Sequence, residues 1–303
     1  MSATELPESP ERGSPLKTAL WPSDREQGAA QPRNIPMKWH VALAVTSVTL
    51  AVGFLLLHLH NNGFWIDELY TLHSIRLGWR EMVLERLHRG HFPGYFALVR
   101  LWYSLWPETQ FELALRSFSV LFYLGALASF WPLARRVIPG PAALFAVTLF
   151  ACNNVALRQA SEARMYTVAL FLAVWITRAW CELQLLHNFH EAPPTPNTVP
   201  REKRWRLILI LATFCGFLVS ATIGVLVGSM LLVELYNVRR GGDRRIFKAV
   251  VLALLAGLAV FIPGAVFHVE TAVRVGVSSS KPAVFLAHIV TLMPGLQIWD
   301  DYY

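Results

Sequence analysis

The sequence predicts an all-α polytopic membrane protein. Two bulk properties and one pattern predict it. Hydrophobic residues make up 54% of the 303 positions and charged residues only 16%, with a mean hydropathy of +0.42, too apolar for an ordinary soluble domain. The 11 tryptophans suit anchoring at a membrane interface as well as core packing. Long apolar segments recur at 40–59, 113–134, 141–157, 165–186, 206–220, 222–238 and 247–267. Each is near the roughly 17 to 25 residues that cross a bilayer, the fifth and sixth at the short end.

In chain order, residues 1–38 are rich in Pro, Ser, Glu and Arg without periodicity and read as a disordered tail. They lack the basic start and short apolar core of a signal peptide, so the run at 40–59 is expected to be a retained helix, opening a membrane domain over 39–303. Residues 60–112 form the first long connection. In it Leu72, Ile75, Trp79, Met82, Val83 and Leu87 recur at helical spacing, with Arg76, Arg80 and Glu85 on other faces. That is the pattern of an amphipathic helix lying on a membrane surface. A second short helix is expected from Phe96 to Trp106, so the connection holds one or two surface helices. The stretch 92–106 (FPGYFALVRLWYSLW) reads as non-spanning because it is short and contains Arg100. An eighth apolar stretch at 283–298 is interrupted by Pro294 and Gly295. No internal repeat stands out. An end at Tyr303 after about seven spans reads either as a fragment or as a short form.

The polar connections set the orientation. Arg135 and Arg136; Arg201, Lys203, Arg204 and Arg206; and Arg239, Arg240, Arg244, Arg245 and Lys248 fall, with the tail, on one side of the span count. The positive-inside rule makes that side cytoplasmic. Residues 60–112, 158–164, 220–222 and 268–282 are then extracytoplasmic. The net charge of +7 is therefore read as loop charge and contact with anionic lipid; no soluble basic domain points to nucleic acid. Cys152, Cys181 and Cys215 lie far apart in or beside apolar stretches and read as small buried residues.

Three polar features share the outer side: Asp67-Glu68 in FWIDE; His91-Phe92-Pro93-Gly94-Tyr95; and Ser161-Glu162-Ala163-Arg164-Met165-Tyr166. Charge beside an apolar helix is costly, so Glu162 and Arg164 invite a functional reading. Each also has a plainer one. Asp67 could cap a helix. Glu162 and Arg164 could be an interfacial pair. His91 could be a loop residue. Arg76, Arg80 and Arg89 could form a solvated or lipid-facing side. His58, His60 and His73 suggest a metal by count, but not by spacing.

FWIDELYTL, HFPGYFALVRLW, ALRSFSVLF and RQASEARMYTVALFL, in that order over about residues 40–240, resemble the polyprenyl-phosphate-dependent glycosyltransferases of GT-C fold. The nearest branch is the bacterial relatives of protein O-mannosyltransferases and of lipid A aminoarabinose transferases (glycosyltransferase family 39-like). The resemblance implies a GT-C-like transmembrane helix bundle in the bacterial inner membrane. It would move a sugar from a polyprenyl-phosphate donor to a lipid, glycan or protein acceptor on the extracytoplasmic face. Asp67 matches the family's general base and Glu68 its acidic neighbour. Glu162 and Arg164, followed by Tyr166, match positions near the donor phosphate, and His91 and Tyr95 match a first-loop His-Pro-Tyr stretch. Arg76, Arg80, Arg89 and Arg100 are further candidate phosphate contacts. No cofactor is required, although a divalent metal could sit beside Asp67 and Glu162. The chain departs from the family at Gly94, where a bulkier residue is common, and at Ser220-Ala221-Thr222-Ile223-Gly224, which lacks a histidine.

The chemistry fits those assignments. A carboxylate can take the proton of an acceptor hydroxyl, and an arginine fork suits the charge on a leaving phosphate. The rival class is a non-catalytic or degenerate polytopic protein: a transporter, flippase or assembly subunit. A transporter should hold polar groups at mid-membrane, whereas these midspans read as almost free of ionisable residues.

Overall fold

A computed structural model describes residues 36–59, 63–188, 198–242 and 244–274. Among the described residues every regular element is helical. In order these are α1 (Met37–His58), α2 (Ile66–Arg76), α3 (Trp79–His88), α4 (Pro93–Tyr103), α5 (Phe111–Val137) after a short 3-10 turn, α6 (Gly140–Ala151), α7 (Asn154–Ala160), α8 (Tyr166–Asn188), α9 (Thr198–Val219), α10 (Ile223–Arg239) and α11 (Arg244–Arg274). The tail lies outside the described residues up to 35, and Met37 and Lys38, expected in it, open α1. His60 and the stretch 283–298 lie outside the described residues as well.

Among the described residues four helical segments are long and apolar enough to cross a membrane: Met37–His58, Glu108–Val137, Tyr166–His187 and Arg244–His268. The pair α6 and α7, bent by 51°, makes a fifth if counted as one span. The chain is an all-α, multi-pass membrane protein, with fewer self-sufficient spans than the seven expected. The difference has local causes. The third segment breaks at Cys152-Asn153, where Asn153 caps α7 by accepting a hydrogen bond from Ala156 N at 2.9 Å. Tyr123 Oη donates to the Ala151 carbonyl at 2.9 Å, meeting an acceptor that the break frees. The fifth segment begins with the charged turn Arg201-Glu202-Lys203-Arg204, and the sixth, α10, has only 17 residues.

α1 shows how the spans are built. Its buried positions, Ala44, Ser47, Ala51 and Leu55, form one narrow stripe, while Leu50, Leu56 and Leu57 are exposed. Ala51 packs with Ala143, Val147 and Ala151 of α6. Small residues that let backbones approach suit helix packing in lipid, where burial of apolar surface drives little.

The first long connection differs from expectation. The single amphipathic helix is two helices, divided at Leu77-Gly78: Leu77 N closes onto Ser74 O at 3.2 Å, and Gly78 N donates to the Glu81 carboxylate at 3.1 Å. A third helix, α4, follows from Pro93, whose fixed φ suits a helix start. Leu72, Ile75 and Met82 do not meet lipid. They are buried with Tyr95, Phe96, Phe118 and Val168 in one cluster. The large apolar residues left exposed are Trp65, Ile66, Leu69, Tyr70 and Trp79, and in and after α4 Leu98, Leu101 and Leu105. The cysteines also depart from expectation: Cys152 and Cys215 are exposed and Cys181 is half-buried.

Contacts sort the connections into two ends. At one end, residues of 63–106 meet the start of α5 (Glu68 with Arg116), the 161–165 turn (Glu68 with Ala163), the end of α9 (Gly94 against Leu218) and the end of α11 (His88 O with His268). At the other, Arg136, Glu182 and Arg201 join the end of α5, α8 and the start of α9. Charge counting likewise groups 60–112 with 158–164 and 220–222, and Arg136 with Arg201.

Candidate active site

Two adjacent carboxylates have opposite fates because successive residues of a helix point about 100° apart. Glu68, at the third position of α2, turns inward and is 1% exposed. Arg116 of α5, 2% exposed, meets it with a two-pronged contact: Nε to Oε1 at 3.0 Å and Nη2 to Oε2 at 2.9 Å. Ala163 N donates to Glu68 Oε1 at 2.9 Å, across 95 positions of chain. Arg116 also donates to Gly63 O at 3.3 Å and to Glu112 at 2.6 Å. Thr71 Oγ1 donates to Ala163 O at 3.2 Å, so α2 holds both faces of the Ala163 peptide. Desolvating two charges is repaid only when their geometry is good and the remaining valences are met, as they are here. Glu68 is thus a scaffold residue with no open oxygen for substrate, contrary to the catalytic role expected of it.

Asp67 turns outward from the same turn. Its side chain is 35% exposed and forms an ion pair with Arg164, whose side chain is 11% exposed. The Arg164 guanidinium lies 5.8 Å from the Trp65 ring centroid and 5.4 Å from that of Tyr166, and donates to Tyr166 Oη at 3.2 Å. Asp67 does not cap the helix: Trp65 is the N-cap, and Glu68 accepts from Trp65 N at 3.4 Å. In the first turn, the Asp67 charge still suits the helix dipole.

The remaining candidates scatter. Glu162 pairs with the exposed Arg158 at 3.4 Å; burial raises its proton affinity, opposed by Arg158. His91 joins the site only at its edge. Burial, then the charges of Arg86 and Arg164, push its pKa down to about 4, so it is a neutral imidazole and not a cation for a phosphate. Gly90 turns the chain ahead of it with φ +74°. Tyr95 is 1% exposed beside Phe96 and Phe118, and burial raises its pKa. It is core, out of reach of a donor. Arg89 is half exposed, pairs with Glu85 at 2.9 Å and lies 5.1 Å from the Tyr70 ring centroid. Among the described residues no three His, Cys, Asp or Glu side chains converge to hold a metal.

Arg116 is the residue that sequence reasoning missed as a site member. Its signal was present: an arginine inside the apolar run ALRSFSVLF needs a partner or a purpose. Glu234 was missed too. In α10 it is 1% exposed and accepts a hydrogen bond from Trp180 Nε1 at 2.9 Å and one from Gln184. The helices are therefore less free of buried ionisable groups than their composition implies. Arg164, paired to a half-exposed carboxylate between two aromatic rings, is an arrangement suited to exchange partners. No protein-family model, curated protein or solved structure matches the chain.

Proposed function

We propose that the chain is a membrane glycosyltransferase of GT-C-like fold that moves a sugar from a polyprenyl-phosphate donor to an extracytoplasmic acceptor. The observation that carries this reading is the Asp67–Arg164 pair, half open to solvent above the closed Glu68–Arg116 clasp. A base and a phosphate-binding fork then stand side by side at one end of the bundle, next to exposed Trp65, Ile66, Leu69 and Tyr70, which suit the depth where a lipid-borne phosphate lies.

The pair itself supplies a sequence of events. The donor phosphate takes the Arg164 fork. Asp67 loses its counter-charge, and its affinity for a proton rises. The acceptor hydroxyl then gives its proton to Asp67 and attacks the anomeric carbon as the bond to the phosphate oxygen breaks. Arg164 receives the developing charge. Tyr166 accepts a hydrogen bond from Arg164 and positions it, and Glu162 adds a negative charge nearby.

A second reading, a non-catalytic polytopic protein such as a transporter, draws on Glu234, a buried carboxylate that accepts from the neutral donors Trp180 and Gln184. One experiment separates the two. Membranes bearing the chain receive labelled polyprenyl-phosphate sugars and an envelope extract. Transfer by wild type that falls at least about a hundredfold in Asp67→Asn, while Glu234→Gln stays active, is expected. Equal transfer by Asp67→Asn and wild type would remove Asp67 from the chemistry. No transfer by folded wild type would favour the second reading.

A further inference from the structure

Toward the end opposite Asp67, α8 carries an arginine that has no acid partner among the described residues. Arg178 sits in α8, flanked by Trp175 and by Trp205 of α9, its guanidinium 5.2 and 5.4 Å from their ring centroids. Its Nε–H and the Trp175 Nε1–H are buried and have no acceptor among the described residues. Its natural partner, Glu182 one turn on, is taken. Arg136 donates to Glu182 Oε1 at 3.1 Å and Arg201 to Oε2 at 2.9 Å. Glu182 is 4% exposed, whereas the Arg136 and Arg201 side chains are 49% and 47% exposed.

These contacts form a ladder between antiparallel helices. Arg178 and Glu182 share a face of α8, Trp205 and Arg201 share a face of α9, and each rung joins like depths. Arg136 and Arg201 share Glu182 while Arg178 pairs with no acid among the described residues, so these four side chains carry two positive charges in excess. Arg178 lies within the span Tyr166–His187, toward its C-terminal end, and the Trp205 that it meets stands between Arg204 and Arg206 in the charged start of α9. An unmet buried donor is costly, and an arginine toward the end of a span extends toward headgroups.

We propose that this face of α5, α8 and α9 binds the phosphate group of an anionic lipid, with Arg178 as its inner contact and Arg136 and Arg201 at its rim. The terminal nitrogens of the half-buried Arg178 guanidinium meet the phosphate oxygens. Trp205 backs the guanidinium plane. The site is separate from Asp67 and independent of any sugar transfer.

The test is lipid retention by the full-length protein in neutral detergent, read by native mass spectrometry with phosphatidylglycerol or phosphatidylcholine titrated in. Wild type is expected to keep phosphatidylglycerol in preference to phosphatidylcholine. Arg178→Gln should weaken this by about fivefold, the worth of one cation at a membrane surface. The single variant Arg136→Gln, changed at a half-exposed position and leaving Arg201 on Glu182, should weaken it by a similar factor and decides the matter if Arg178→Gln does not fold. Equal retention by wild type and variants, or no preference between the lipids, overturns the proposal. Displacement by inorganic phosphate also overturns it, since the site would then take a small soluble anion.

Discussion

Each end of the bundle holds a buried glutamate gripped by arginine, and the grips differ in kind. At the first end the side chains of Glu68 and Arg116 are 1% and 3% exposed. At the second, Glu182 is buried but its partners Arg136 and Arg201 stand half in solvent. Where both partners are buried, neither can leave without stranding a charge. Where one side is wet, water or an anion can replace it. The first grip fastens the surface helices to the spans; the second can open. The proposed chemistry at the first end therefore sits beside the grip, on Asp67 and Arg164, and the proposed lipid site at the second end uses the half-exposed arginines of the grip together with Arg178.

The largest expected effect breaks the first grip. Arg116→Met should cost about 3–5 kcal/mol, because it leaves the Glu68 carboxylate buried and unpaired. Thermal unfolding in detergent would show it. The double variant Glu68→Leu/Arg116→Met should recover most of the loss, since an apolar pair of similar volume often replaces a buried ion pair at little cost. A double variant as unstable as Arg116→Met would mean that the links to Ala163, Gly63 and Glu112 outweigh the charge pair.

Next comes pH, again at the first end. The His91 pKa in the folded protein, about 4, lies below its ordinary 6.5. The unfolded chain thus binds the proton more tightly. The stability that His91 contributes is present above pH 6.5 and is lost as pH falls toward 4, by at most about 3 kcal/mol. Unfolding temperatures across that window should drop less in His91→Gln than in wild type. Parallel curves would mean that His91 reaches water freely.

Gly94 gives a smaller effect at the seam between α4 and α9. An added Cβ would stand 2.5 Å from Leu218 O and 2.8 Å from Leu218 Cβ, contacts that backbone must move to relieve. Gly94→Ala should cost about 1–3 kcal/mol. The departure from the resembled family at this position thus has a local reason: the end of α9 fills the space where a side chain would go.

The helices were legible because their signal is local, in apolar runs and in the 3.6-residue period of 66–88. The site was legible in part. Asp67, Glu162 and Arg164 were singled out, and the structure brings Asp67 and Arg164 together. Which carboxylate of the pair faces inward depends on the rotation of α2, fixed by contacts with Arg116 and Ala163 far along the chain. No local pattern carries that information. The surface helix was read with one apolar face, but residues 65–79 have two, and tertiary packing chose which to bury. The cysteines failed for a related reason: an apolar position in a span reads alike whether it faces lipid or protein.

The smallest effect tests the second end. Arg136→Gln removes a half-exposed partner from Glu182 and leaves Arg201 in place. A wet ion pair contributes less than about 1 kcal/mol, and salt screens exposed charge within roughly a Debye length, about 10 Å at moderate salt. The variant should therefore lose little stability, and the small difference from wild type should shrink as salt rises. The contribution of Arg116, measured in the same series, should hardly respond to salt. If both contributions fell together with salt, water would reach Glu68 as readily as Glu182, and the first end would be no more closed than the second. If Arg136→Gln cost as much as Arg116→Met, Glu182 would depend on that one arginine, and the grip at the second end would not open to admit a phosphate.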